Sequence, residues 1–185
     1  MLAFRVAAPG PLVDLRKLQG LGHISIGEEG VRLGAKVRWR DIERDARLRS
    51  AQPLLVAAVS HVAHYQIRNR GTVGGSPAHA DPAAEMPGIA VTCEAEIHVR
   101  GASGPRVIRA ADFVLAPLTT ALAPDELIVE LAPAALAGRA ALDLRGVFPA
   151  ARRFRPGQEE ILIGADRRRK PSPRIDPARY VWLRP

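Results

Sequence analysis

Five consecutive residues, Thr72, Val73, Gly74, Gly75 and Ser76, combine two hydroxyls with two side-chain-free backbone units, and Gly71 precedes them. Glycine permits positive φ and leaves no Cβ, so successive N–H groups can converge on one anion. The Thr72 and Ser76 hydroxyls are further donors of the kind that suits phosphate oxygens. Just downstream, "PAHADPAAEMP" supplies His79, Asp81 and Glu85. Asp81 followed by Pro82 has the form of a helix start, which predicts a short helix through Glu85 and Met86 ending near Pro87. On residue types alone the glycine pair reads either as an anion cradle or as a plain tight turn.

Other polar groups offer less. His61 and His64 lie three apart with no third ligand at a recognisable spacing, so a structural role is favoured over a metal. Cys93 sits in an apolar stretch and reads as a small hydrophobe. As the sole cysteine it excludes an intramolecular disulfide and an all-cysteine metal site. No serine stands between glycines as a nucleophile would.

The elements that must position this segment follow from periodicity. Residues 12–15 read as a short strand entering a turn at Gly20 and Gly22. "HISIGEEGVRLGAKV" reads as a hairpin, with Ile24 and Ile26 alternating on one arm and Val31, Leu33, Ala35 and Val37 on the other. Residues 38–48 read as one helix, and Pro53 opens a second whose stripe is Leu55, Ala58, Val59 and Val62. That helix delivers the chain to the glycine turn. Beyond the turn, "EAEIHVRG", "RVIRAADF" and "DELIVEL" read as strands, the first with "GASGP" as its turn. Strands interleaved with helices around an antiparallel hairpin indicate an α+β domain rather than a doubly wound parallel sheet.

Charge and composition narrow the class. The chain of 185 residues is long enough for one domain with a real core, and its few aromatics (4%) leave that core to aliphatic side chains. The net charge of +8 is uneven: residues 1–150 carry 17 Lys and Arg against 15 Asp and Glu, and residues 151–185 carry 10 against 4. The basic excess therefore lies in the tail, without a nucleic-acid motif or stacking aromatics, and no nucleic-acid partner is expected. No run approaches the roughly 20 apolar residues of a membrane span, and the N-terminus lacks a secretory pattern. The expectation is a cytoplasmic protein without a membrane partner. After about residue 132 the patterning degrades into an Ala-, Pro- and Arg-rich stretch.

The run "AHYQIRNRGTVGGSPAHADPAAEMP" resembles the FAD-binding signature of the medium subunit of molybdenum hydroxylases, the family of carbon-monoxide and xanthine dehydrogenases. The flanks "LVDLRKLQGL", "VRLGAKVRWRDIE" and "ADFVLAPLTTALAPDELIVEL" are similar to that family as well, so the resemblance spans about residues 1–131. It implies an FAD-binding fold of the vanillyl-alcohol-oxidase/p-cresol-methylhydroxylase type, incomplete here. It further implies FAD as cofactor, an iron–sulfur subunit and a molybdopterin subunit as partners, and electron transfer through the flavin to an external acceptor. Carried onto this chain, Thr72, Val73, Gly74, Gly75 and Ser76 would wrap the pyrophosphate, mainly through backbone N–H groups. Glu85 stands where the family has an aspartate contacting FAD, and His79 and Asp81 share the binding loop.

Two departures qualify the resemblance. The family's first FAD loop, an Ala-Gly-Gly run, has no counterpart, and Pro77 removes one backbone donor. The expected organisation is a remnant of the first FAD subdomain at 1–20, the second subdomain at 21–131, and a divergent tail at 132–185 explained by a lost reading frame. The alternative is a flavin-free remnant or interaction module without catalytic activity.

Overall fold

The computed structural model describes residues 10–134. Residues 1–9 of the 1–20 segment and residues 135–185 of the expected tail lie outside these residues. Seven strands form a five-stranded sheet and a separate two-stranded hairpin. The large sheet holds β1 (Ile24–Gly27), β2 (Gly30–Gly34), β3 (Glu96–Gly101), β4 (Gly104–Arg109) and β7 (Leu127–Ala132) in the order β1-β2-β7-β3-β4. Every pairing in it is antiparallel. The small hairpin pairs β5 (Val114–Ala116) with β6 (Thr119–Thr120).

The hairpin read from the sequence forms, with Ile24 opposite Leu33 and Ile26 opposite Val31, but its second arm stops at Gly34, short of the Ala35 and Val37 expected in it. Gly30 carries the positive φ of 111° that closes its turn. The second hairpin, β3–β4, closes at Gly101 opposite Gly104, where φ is 105°. The last strand, β7, joins the two hairpins, setting Leu131 between Leu33 of β2 and Ile97 of β3. A register shift between His98 and Val99 accommodates it.

Seven short helices complete the domain: α1 (Trp39–Arg44), α2 (Ala46–Ala51), α3 (Pro53–Ser60), α4 (Tyr65–Arg68), α5 (Gly75–His79), α6 (Glu85–Thr92) and α7 (Ala110–Phe113). Trp39 and Ile42 of α1, Leu48 of α2, Leu55 and Val59 of α3, and Met86 and Ile89 of α6 join one cluster with Leu33, Ile97, Val99 and Leu131 of the sheet. Burying a Leu, Ile or Phe of this kind contributes roughly 1.5–3 kcal/mol.

Four expectations from periodicity are corrected. Residues 12–15 form no strand; the chain makes a 3-10 turn at Leu15–Lys17, capped by the Asp14 carboxylate on the Arg16 N–H. Every side chain from 11 to 20 is exposed, so no core face rewards strand pairing there. The helix read over 38–48 breaks at Asp45, whose backbone is extended and whose carboxylate accepts the Arg47 N–H to start α2. The helix begun at Pro53 stops at Ser60, ahead of a positive φ at Ala63.

The fourth correction adjoins the glycine turn. Asp81 caps only a turn, accepting the Ala83 N–H at 2.8 Å, and the helix runs instead from Glu85 to Thr92. Pro87 lies in its first turn, where the missing N–H has no intrahelical partner to lose. Ile89 and Val91, in step with the strand that follows, belong to this helix, and the chain becomes extended only at Glu96.

Candidate functional site

The segment 71–76 rests on the chain that leaves β2. The Val73 N–H donates to Val37 O and the Gly74 N–H to Ala35 O, each at 2.9 Å. Thr72 forms an isolated antiparallel bridge with Arg38. Val73 is fully buried, so the turn is pinned to the core through one apolar side chain and two inward hydrogen bonds.

The glycines serve close approach rather than positive φ, which none of the three adopts. A Cβ at Gly71 would lie 2.5 Å from Trp39 Nε1, and one at Gly74 would lie 2.6 Å from the Ala35 Cβ. A Cβ at Gly75 would meet Thr72 Oγ1 at 2.8 Å. Contacts under 3.0 Å force a shift, so Gly71 and Gly74 let the turn lie close against Trp39 and Ala35, and Gly75 leaves room for the Thr72 hydroxyl.

The outward side is polar. The Gly75 N–H donates to Thr72 Oγ1 at 3.1 Å, and Gly75 is exposed. Ser76 is half-buried at the start of α5, its N–H donating to Thr72 O at 3.2 Å. The expectation that backbone N–H groups of residues 72–76 would be the main donors to an anion is therefore narrowed: those of Val73 and Gly74 are committed inward, that of Gly75 to the Thr72 hydroxyl and that of Ser76 to Thr72 O. Among the described residues neither the Thr72 nor the Ser76 hydroxyl donates a hydrogen bond, so these two remain as donors.

Helix α5 carries the chain about 7 Å onward, at 1.5 Å per residue. It ends at Ala80, whose φ of 49° turns the chain and whose carbonyl accepts the Leu118 N–H from the β5–β6 turn at 2.9 Å. Ala80, Asp81, Pro82, Pro87, Val114 and Pro117 line a small, shallow depression open to solvent. His79 is exposed, Asp81 and Glu85 are half-buried, and Glu85 occupies the first turn of α6. The loop, the helix and the depression thus form one continuous surface.

Sequence reading missed two contributors. The carbonyls of Ala35 and Val37 shape the turn from 39 and 36 residues away, and the β5–β6 hairpin, obscured by Pro117, closes over Ala80. Among the described residues no group of three His, Cys, Asp or Glu could hold a metal ion, and no helix is long and apolar enough to cross a membrane.

The loop suits a diphosphate-bearing cofactor: it offers neutral hydroxyl donors, and the Thr72 hydroxyl can lie over Gly75 only because that residue lacks a Cβ. Residues 1–132 match the family described as the FAD binding domain in molybdopterin dehydrogenase. The chain is 35% identical over 131 residues to the 6-hydroxypseudooxynicotine dehydrogenase complex subunit alpha of Paenarthrobacter nicotinovorans, covering 71% of this chain and 44% of that protein. It is equally identical to the glyceraldehyde dehydrogenase medium chain of Sulfolobus acidocaldarius, covering 71% and 47%. Among solved structures, quinoline 2-oxidoreductase from Pseudomonas putida 86 superposes with a TM-score of 0.70 at 35% identity, over 76% of this chain and 50% of that one. Carbon monoxide dehydrogenase from Hydrogenophaga pseudoflava gives 0.69 at 33% identity, over 76% and 50%. The chain spans about half the length of the relatives it matches. Its mixed helix-and-sheet domain, its glycine turn and these matches agree: the chain belongs to the family of FAD binding domains in molybdopterin dehydrogenases.

Proposed function

We propose that the surface running from Thr72 to Glu85 holds FAD, and that the chain serves as an electron-transfer component of a molybdopterin-containing dehydrogenase. In this reading the fold is of the vanillyl-alcohol-oxidase/p-cresol-methylhydroxylase type, and residues 21–131 are its second FAD-binding subdomain. Bound flavin would supply the redox chemistry, accepting electrons from an iron–sulfur subunit drained by a molybdopterin subunit and releasing them to an external acceptor.

The chain's own residues bind and orient. The Thr72 and Ser76 hydroxyls donate to the pyrophosphate, the Gly75 N–H orients the Thr72 hydroxyl by donating to its oxygen, and Val73 and Gly74 hold the turn against the chain leaving β2. His79, Asp81 and Glu85 contact the remainder of the dinucleotide. Glu85 is one methylene longer than an aspartate and reaches correspondingly further from its helix.

The observation that carries this reading is the Thr72–Gly75 pairing on a turn whose inner amides are already satisfied. Such a turn needs no refolding to accept an anion, so less ordering opposes binding. Titrating FAD into the purified chain and following flavin fluorescence tests it. The expected result is saturable quenching that weakens about fivefold in Ser76→Ala, the effect of one neutral hydrogen bond. Fluorescence unchanged by the protein would overturn the reading and favour a flavin-free interaction module.

A further inference from the structure

Arg38 lies directly opposite Thr72 in the isolated antiparallel bridge, although the two are 34 positions apart. Residues opposed in this way project their side chains to the same face, with Cβ atoms about 4.5–5.5 Å apart. The arginine therefore stands on the face from which Thr72 presents its hydroxyl to the Gly75 N–H. Arg38 is exposed, and its backbone N–H is held by Asp41 Oδ2 at 3.1 Å, so its Cα is fixed while its side chain reaches outward.

The acids nearby are committed to other cations. Asp41 pairs with Arg40 at 3.4 Å, Glu43 with Arg68 at 3.0 Å, and Asp45 with Arg47. Arg38 makes no ion pair among the described residues. The turn itself is short of strong donors: the Val73 and Gly74 amides point inward and Pro77 has none. The Gly75 N–H is donated to the Thr72 hydroxyl and the two hydroxyls that remain are neutral, whereas a diphosphate carries about two negative charges. A guanidinium, with its fork of N–H donors, matches two phosphate oxygens at once.

We infer that Arg38 is the counter-ion for the diphosphate of the bound dinucleotide, completing a site whose backbone donors are largely spent on holding the turn. This rests on the FAD reading and adds to it a residue outside the glycine segment.

The test measures FAD binding to the 185-residue chain and to Arg38→Gln, Arg38→Lys and Arg44→Gln, at low and high KCl, with ADP and adenosine as competitors. Arg38→Gln should weaken FAD and ADP at least tenfold, flatten the salt dependence and leave adenosine unchanged. Arg38→Lys should recover part of the loss, since a point charge replaces a fork. Arg44→Gln, on the last turn of α1, should bind as the parent does. Equal FAD affinity and equal salt dependence in the parent and Arg38→Gln would overturn the inference while leaving the FAD reading intact. A loss shared equally by ADP and adenosine would also overturn it, by assigning Arg38 a structural role. A parent chain that binds no FAD would remove both the reading and the inference.

Discussion

A methyl group at position 74 would lie 2.6 Å from the Ala35 Cβ and 3.2 Å from the Ala35 carbonyl oxygen, which already accepts the Gly74 N–H. Gly74→Ala must therefore push the turn off the strand, which costs about 1–3 kcal/mol of overpacking. Gly22, with negative φ and nothing within 4 Å, has room for the same methyl. Urea denaturation should separate the two variants, with Gly22→Ala within about 0.5 kcal/mol of the parent. At the same scale Cys93 is inert by burial: desolvation pushes its thiol up to about 12, so the nucleophilic thiolate is absent near neutral pH. Its reading as a small hydrophobe matches its place in the core. The reason for the glycines was only half visible in the sequence. Absence of Cβ was the right property, but Ala35, which demands it at Gly74, is 39 residues away, and no local pattern reports that contact.

Among the elements, the β3–β4 hairpin is braced by the chain that leads into β7. Arg106 engages Glu126 through Nε at 2.6 Å and Nη2 at 2.7 Å, and Nη2 also donates to Ala121 O. The Arg106 guanidinium and the Ala123 N–H hold the Glu126 carboxyl down at about 2, against an ordinary 4.5. A carboxyl whose pKa is lowered on folding stabilises the fold above its unfolded pKa, and that contribution disappears as pH falls through the folded pKa. Glu126→Gln should thus be less stable than the parent at pH 7, with the gap closing between about 4.5 and 2 in thermal melts taken across that range. Persistence of the full gap at pH 2 would show that the clamp acts by shape rather than charge. Element type was legible wherever one residue in two or one in three to four faced the core, as in β1, β2, β3 and α3. It failed where backbone caps decide the outcome. Asp45 splits a helix and Asp81 ends its influence in one turn, because a short carboxylate can satisfy a local N–H in place of the helix ladder.

For the whole molecule, the sheet is complete only when β7 enters between the two hairpins, bringing Leu131 beside Leu33 and Ile97. Gln52 fastens the end of that strand to the helices. It is fully buried at the α2–α3 junction, and its Nε2 donates to Ala134 O at 2.8 Å, while Ala134 N–H donates to Cys93 O. Gln52→Ala should lower stability by about 1–3 kcal/mol without altering the denaturant m-value, because the native surface is unchanged. A neutral effect would mean that the strand end is held by Cys93 alone.

The sequence by itself determined the hairpin, the stripe of α3, the strand that became β3, and the glycine turn with its hydroxyls. Each is written in the spacing of neighbouring residues, and local periodicity needs no knowledge of the rest of the chain. Only the tertiary structure decided which amides of that turn are free. Val73 and Gly74 spend theirs on β2's continuation, and Arg38 is brought opposite Thr72 by the same contact. Hydrogen-bond satisfaction is a property of partners in space, so a donor's availability cannot be read until its distant acceptor is in place.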